Sequence, residues 1–261
     1  MPWAAGDPHH GVPGHASSRT ARKTRLALAD GRAGANLLRE EAVVESRVVR
    51  IHRWDGLALL SVGAAVAASA VLFTRLPEQL PMHFDLHGSP DRWMPRAYGA
   101  WALPVLALLV WSFVRFVAPG LVRDEQKRPT ESSAALLASM TAAFVSAIHG
   151  AILYVALVPG ASFTEPLFVL TGALFVGLGL VFRRLRRVPL VSLGGGPASE
   201  ESWSRIHRLA SYSLVLGGVA GGAAGLVGGV AGRVTAIGCF LAATLVPTAY
   251  SIVVSRRGTH P

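Results

Sequence analysis

The sequence predicts an all-α, polytopic membrane protein with six transmembrane helices, both termini cytoplasmic and a short structured outer loop after helix 1. Three observations carry that prediction. Of the 261 residues, 51% belong to the hydrophobic set and only 15% are charged, and the mean hydropathy is +0.44; soluble domains carry about 25% charged residues. Six apolar runs are separated by polar segments, and a hydrocarbon core of about 30 Å takes about 20 helical residues to cross. The basic residues gather in alternate polar segments, which is the positive-inside pattern.

Residues 1 to about 35 are rich in Gly, Pro, Ala, His and Arg, without apolar periodicity or a hydrophobic stretch before a cleavage site. They read as a disordered basic tail and not as a signal peptide. From Asn36 to Trp54 the positions Leu37, Leu38, Val44, Val48 and Ile51 recur with charges between them. That pattern suits a helix lying on the inner leaflet, where basic residues meet anionic lipid. A start codon near Val43 or Val44 is the alternative reading, in which the tail is never made.

The spans read as Leu57 to Thr74, Tyr98 to Ala118, Ala134 to Val158, Leu167 to Phe182, Leu209 to Ala231 and Val234 to Val254. The fourth is the shortest, so charge has to fix the parity. With the N-terminus inside, twenty of the 25 Lys and Arg fall on the inner side, and only Arg75, Arg92, Arg96 and Arg233 fall outside. Removing the fourth span would place the RRLRR run, Arg183 to Arg187, on the outer face. Arg115 lies near the inner end of the second span, where a long side chain can snorkel to the interface. The net charge of +10 therefore reads as basic inner loops, with no direct nucleic-acid partner.

Within the spans, Pro104 and Pro247 each remove a backbone donor and favour a kink, for packing or as a hinge. In the fifth, Gly217, Gly221, Gly225 and Gly229 recur every fourth residue, with Gly218 and Gly222 as a parallel row. Small residues at that spacing let another helix approach closely, either from the same chain or across a homodimer. The single cysteine, Cys239, lies in the last span and reads as a packing residue, with no intrachain disulfide available. No phosphate-binding loop, zinc-protease helix or serine nucleophile elbow is present, so no catalytic residues, cofactor or metal are assigned.

Two polar stretches stand out. In LPEQLPMHFDLHGSPDRW, Leu76 to Trp93, the residues His83, Asp85 and His87 form H-x-D-x-H, with Asp91 beyond. Imidazole and carboxylate are zinc ligands, yet an extended strand puts only neighbours at i and i+2 on one face, about 7 Å apart. A helix turns Asp85 away from the two histidines, and the prolines oppose a helix in any case. The readings are a structural cap, with Met82 to Leu86 extended, Gly88 turning and Trp93 at the interface; a ligand or peptide contact surface; or a metal site.

The core of this stretch, Pro81, His83, Phe84, Asp85, Gly88 and Asp91, resembles the signature of the bacterial domain of unknown function DUF1648. The second stretch, ASEESWSRIHRLASYSLVLGG, Ala198 to Gly218, resembles the other half of the SdpI family, through Glu200, Glu201, Trp203, His207 and Arg208. Ile206 stands where that family has threonine. RRVPLVSLGGGP precedes the stretch, where the family has an asparagine and a G-x-R-T-P-W-T string.

The resemblance divides the chain into a tail at 1–53, a DUF1648-like two-helix domain at 54–120 with its outer loop at 76–96, and an inner loop at 121–133. Two central helices follow at 134–182, then a basic inner loop at 183–208, an SdpI-like helix pair at 209–254 and a tail at 255–261. It implies a non-catalytic protein of the bacterial plasma membrane, acting in toxin immunity or envelope signalling. A secreted peptide toxin would be met outside and a transcriptional repressor sequestered inside. Read from its residues alone, the second stretch is an inner interfacial segment, with Trp203 as an anchor and Arg205 and Arg208 at the headgroups. His149, mid-span, is either a neutral histidine bonded to a neighbouring helix or a proton or ligand site. With Arg115 and the two prolines it motivates a small-solute transporter as the alternative function. A membrane metalloenzyme using His83, Asp85 and His87 ranks last.

Overall fold

The computed structural model describes residues 51–85, 88–121, 131–183 and 200–257. The expectations for the basic tail, His87, the RRLRR run beyond Arg183 and the RRVPLVSLGGGP segment lie outside these residues. Six helices are long and apolar enough to cross a membrane. They are α1 (Asp55–Leu72), α2 (Arg96–Ser112), α3 (Glu131–Leu157), α4 (Thr164–Phe182), α5 (Glu200–Val227) and α6 (Gly229–Arg257). α2 continues through a π-helical segment, Phe113–Val117, and a last turn, Ala118–Leu121. The chain is a multi-pass helical membrane protein.

Helices α1, α2 and α3 pack together as a first group, and α4, α5 and α6 as a second, with α3 against α4 as the junction. The first group is close-packed because its contact positions are small: Ala58, Val62, Ala107 and Ala142 form a buried cluster flanked by Trp111 and Val145. In the second group glycine sets the spacing. A Cβ on Gly172 would come to 2.5 Å from the Gly218 carbonyl oxygen, and one on Gly179 to 2.8 Å from that of Ser211. α4 and α5 therefore touch backbone to backbone, and the Ser211 hydroxyl donates to the Gly179 oxygen at 2.7 Å. On the next face of α5, Gly217 meets Cys239 and Ala243 of α6, and Gly221 meets the Phe240 ring. Gly225 takes the Phe168 ring of α4. These glycines are occupied by neighbours in the same chain.

Gly229 corrects the expectation. It is not the fourth member of the packing row but part of the turn, because Gly228 and Gly229 have φ of +72° and +65° and nothing stands within 4 Å of a Cβ at Gly229. Two adjacent left-handed residues, which glycine adopts without a Cβ penalty, end α5 at Val227, before the apolar run itself ends. A second difference is at the start of α5. The segment from Glu200, read as the end of an inner loop running to 208, is the first two turns of the helix, continuous with the span.

The loop read as outer is a β-hairpin: β1 (Gln79–Phe84) pairs antiparallel with β2 (Pro90–Pro95), from Gln79 opposite Pro95 to Phe84 opposite Pro90, with register shifts on either side of His83. An extended stretch was expected only over Met82 to Leu86; β1 overlaps it at Met82 to Phe84 and begins three residues earlier, and Leu86 lies outside the described residues. PDRWMP carries two prolines and no apolar alternation, so its strand is set by pairing and not by propensity. The base is anchored in the first helix group. Leu80 is fully buried with Leu76, Ala100 and Leu153, and a Cβ on Gly99 would lie 3.1 Å from the Leu80 side chain. Arg96 donates through Nη1 to the carbonyls of Leu76 at 2.9 Å and Phe73 at 3.3 Å, closing the exit from α1.

Candidate functional site

The signature residues of the loop build the hairpin and dock its tip. Asp85 accepts from the Ser89 amide at 2.8 Å through Oδ1, and its own amide donates to the Ser89 oxygen at 2.9 Å. Gly88, at φ +80°, makes the turn that those bonds close. His83 Nδ1 lies 2.5 Å from Asp91 Oδ1, tying the two strands. Pro81 is buried opposite Trp93, which is itself 55% exposed. Phe84 stacks on Phe163 with ring centroids 4.2 Å apart, and a Cβ on Gly88 would collide with the Thr164 hydroxyl. Thus the hairpin is rooted in the first helix group and touches the second at the start of α4.

Between the hairpin and the ends of α4 and α6 lies a cavity of about 800 Å³. Met82, His83, Phe84, Asp85 and Gly88 form one side. Phe163, Thr164, Leu167 and Phe168 form the second, and Val230, Arg233, Val234 and Ile237 the third. Its walls are mainly apolar, and the charged groups come from Asp85 on the hairpin and Arg233 on α6. Beside it, Glu165 is hydrogen-bonded to Ser162 and faces the charge of Arg233. A volume of this size is that of an ordinary ligand site. Sequence reasoning singled out one wall and missed the other two, because Leu167, Val234 and Ile237 look like any span residue. Arg233 was noted only as an outside charge.

Of the three ligands weighed for zinc, His87 lies outside the described residues; His83 turns to Asp91, and Asp85 closes the turn. Among the described residues no three His, Cys, Asp or Glu side chains converge.

His149 is fully buried between α1, α2 and α3. The Ser69 hydroxyl donates to the Ala100 oxygen at 2.6 Å, and its oxygen lies 2.7 Å from His149 Nε2. Because the single hydroxyl proton is already committed, Nε2 must carry its own proton and donate it to Ser69. Nδ1 is then a bare acceptor, buried and without a partner among the described residues. Of the two readings, the bond to a neighbouring helix is present, and one ring nitrogen stays available.

Arg115 does not snorkel. It is 5% exposed on the π-helical segment, and its Nε lies 3.1 and 3.2 Å from the two carboxylate oxygens of Asp55, the first residue of α1. Asp55 also accepts from the His52 amide at 2.8 Å, and Ser139 of α3 donates to the Trp54 oxygen at 2.6 Å. A π-turn inserts one residue per turn and re-aims the side chains beyond it, which explains how a residue of an apolar run reaches the start of α1.

At the second motif, Trp203 meets His207 edge-on at 5.2 Å and His207 lies 5.9 Å from Phe182. His207 is buried against α4 and is not among the headgroup-facing residues. Glu201 and Arg205 form an exposed pair one turn apart at 2.5 Å, a contact of little energetic weight. Arg208 is exposed, and Glu200 opens the helix.

Residues 60–108 match the family model described as "Domain of unknown function (DUF1648)". The match runs from within α1, through the hairpin, into α2, so the chain carries that domain. No curated protein and no solved structure matches the chain.

Proposed function

We propose that this chain is a non-catalytic receptor of the bacterial plasma membrane, acting in toxin immunity or envelope signalling, with the hairpin-end cavity as the seat of a secreted peptide. The observation that carries the reading is that the DUF1648 hairpin does not stand free. Its signature residues form one wall of a cavity whose other walls belong to the second helix group. A ligand there touches both groups at once, which is what a membrane receptor needs to pass binding on. The charge bias of the polar segments supports placing the hairpin outside and both termini inside. In that orientation the basic segments, the exposed start of α5 among them, face the cytoplasm, where they would meet a transcriptional repressor.

The test is complementation of a deletion strain challenged with small secreted peptides of neighbouring strains. Wild type should restore tolerance, whereas Leu167→Trp, which fills the cavity, should not, at equal membrane levels. Equal rescue by Leu167→Trp, or a deletion strain as tolerant as its parent to every peptide, overturns the proposal. A small-solute transporter is the second reading, favoured by the available Nδ1 of His149 inside the bundle. Solute uptake by proteoliposomes that is lost in His149→Gln would select it.

A further inference from the structure

Pro104 lies inside α2 and is fully buried. A proline has no amide hydrogen, so the Ala100 oxygen, its helical acceptor four residues back, loses that bond. The Ser69 hydroxyl of α1 supplies a replacement at 2.6 Å, and His149 of α3 donates in turn to Ser69 at 2.7 Å. A gap in the hydrogen bonding of α2 is thus made good by polar groups from the two helices packed against it. That chain has an open end, Nδ1 of His149.

A second open group stands beside it. Ser146 is 8% exposed, and its hydroxyl, like Nδ1, is buried without a partner among the described residues. Ser146 and His149 lie three positions apart on one helix, so they share a face, with Cβ atoms about 5–6 Å apart. Helical side chains lean toward the N-terminus of their helix, which tilts the His149 ring over the turn that holds Ser146. Nδ1 is the ring nitrogen nearer the stem, and Nε2 is already turned to α1. One turn before Ser146, Ala142 packs with Ala58, Val62 and Ala107. Between that level and the Ser69 level, the buried residues of α1 and α2 are Ala65 and Pro104, whose side chains bring no polar atom.

We infer that Ser146 and His149 hold one internal water, which accepts from the Ser146 hydroxyl and donates to Nδ1. Two hydrogen bonds of about 2.8 Å each span the distance between groups one turn apart, and two partners lie within the range that buried waters have. Inside a membrane-spanning bundle an unmet polar group keeps its full desolvation penalty, so both groups favour the water. The polar chain then runs from the Ala100 oxygen through Ser69, His149 and the water to Ser146, and it ties together all three helices of the first group. Because the protons on Ser69 and Nε2 are already committed, the water is also the route by which a proton reaches the ring. This goes beyond the proposed function, since none of these residues lines the hairpin-end cavity.

The probe is water itself. The full chain, carrying nitrogen-15-labelled histidine in nanodiscs of deuterated lipid, is measured by NMR for magnetisation transfer from water protons to each imidazole nitrogen. The His149 signals are those missing from His149→Gln. Wild type should show transfer to an unprotonated Nδ1, and Ser146→Ala, which removes one of the two partners, should lower it about threefold or more. Ser61→Ala should leave it unchanged, because that hydroxyl is bonded to the Ala58 oxygen of its own helix. No transfer in wild type, or equal transfer in Ser146→Ala, overturns the proposal. A hydrogen-bonded Nδ1 without water contact overturns it as well, and assigns a direct bond from the Ser146 hydroxyl instead.

Discussion

Asp55 and Arg115 lie 60 positions apart in sequence, are 3% and 5% exposed, and are joined through both carboxylate oxygens. Deleting either partner breaks a buried ion pair from one side, which costs about 3–5 kcal/mol. Asp55→Ala also deprives the His52 amide of its acceptor. Each single variant, Asp55→Ala and Arg115→Ala, is therefore expected to lose about 3–5 kcal/mol. The double variant removes both charges together, so its loss should fall short of the sum by about 3 kcal/mol or more. The assay is equilibrium unfolding of the detergent-solubilised chain by titration with sodium dodecyl sulfate, followed by helical circular dichroism. Losses that add to within about 0.5 kcal/mol, as independent sites do, would refute an energetic link between the start of α1 and the π-helical segment.

Two further outcomes follow from packing. Gly218→Leu should destabilise the fold by at least about 1–3 kcal/mol through overpacking, because its Cβ already falls 2.7 Å from the Gly172 oxygen, while Gly238→Leu, with nothing within 4 Å, should be neutral in the same titration. His149→Ala should cost about 1–3 kcal/mol by removing the donor to Ser69; His149→Gln, whose amide reaches the place of Nε2, should retain most of that stability, and equal losses in both would dismiss the hydrogen bond as a stabiliser.

The spans were legible because length and hydropathy are local properties, and each helix covers most of the run read from the sequence. The glycine row was legible for the same reason, apart from Gly229, where a period of four runs into a turn that only the adjacent left-handed pair reveals. The hairpin's first strand could be read in part, but the second could not, since PDRWMP is made extended by a partner and not by its own preferences. Arg115 was misjudged because its partner lies across the bundle and a π-turn, invisible to any periodicity, aims it there. The cavity was half legible: polar residues of β1 draw notice in an apolar chain, whereas Leu167, Val234 and Ile237 become a wall only when α4 and α6 are brought beneath the hairpin.

The junction at Gly228 constrains how the molecule can be handled. With α5 ending at Val227 and α6 beginning at Gly229, there is no loop at that corner to receive an epitope, a protease site or a label without prying the two helices apart. On the hairpin side, insertions belong at the hairpin tip or between Val158 and Phe163. The second of these sites flanks the cavity, so the tip's own turn and the short α3–α4 connection are at once the places where the protein can be tagged and the places where a tag would be felt.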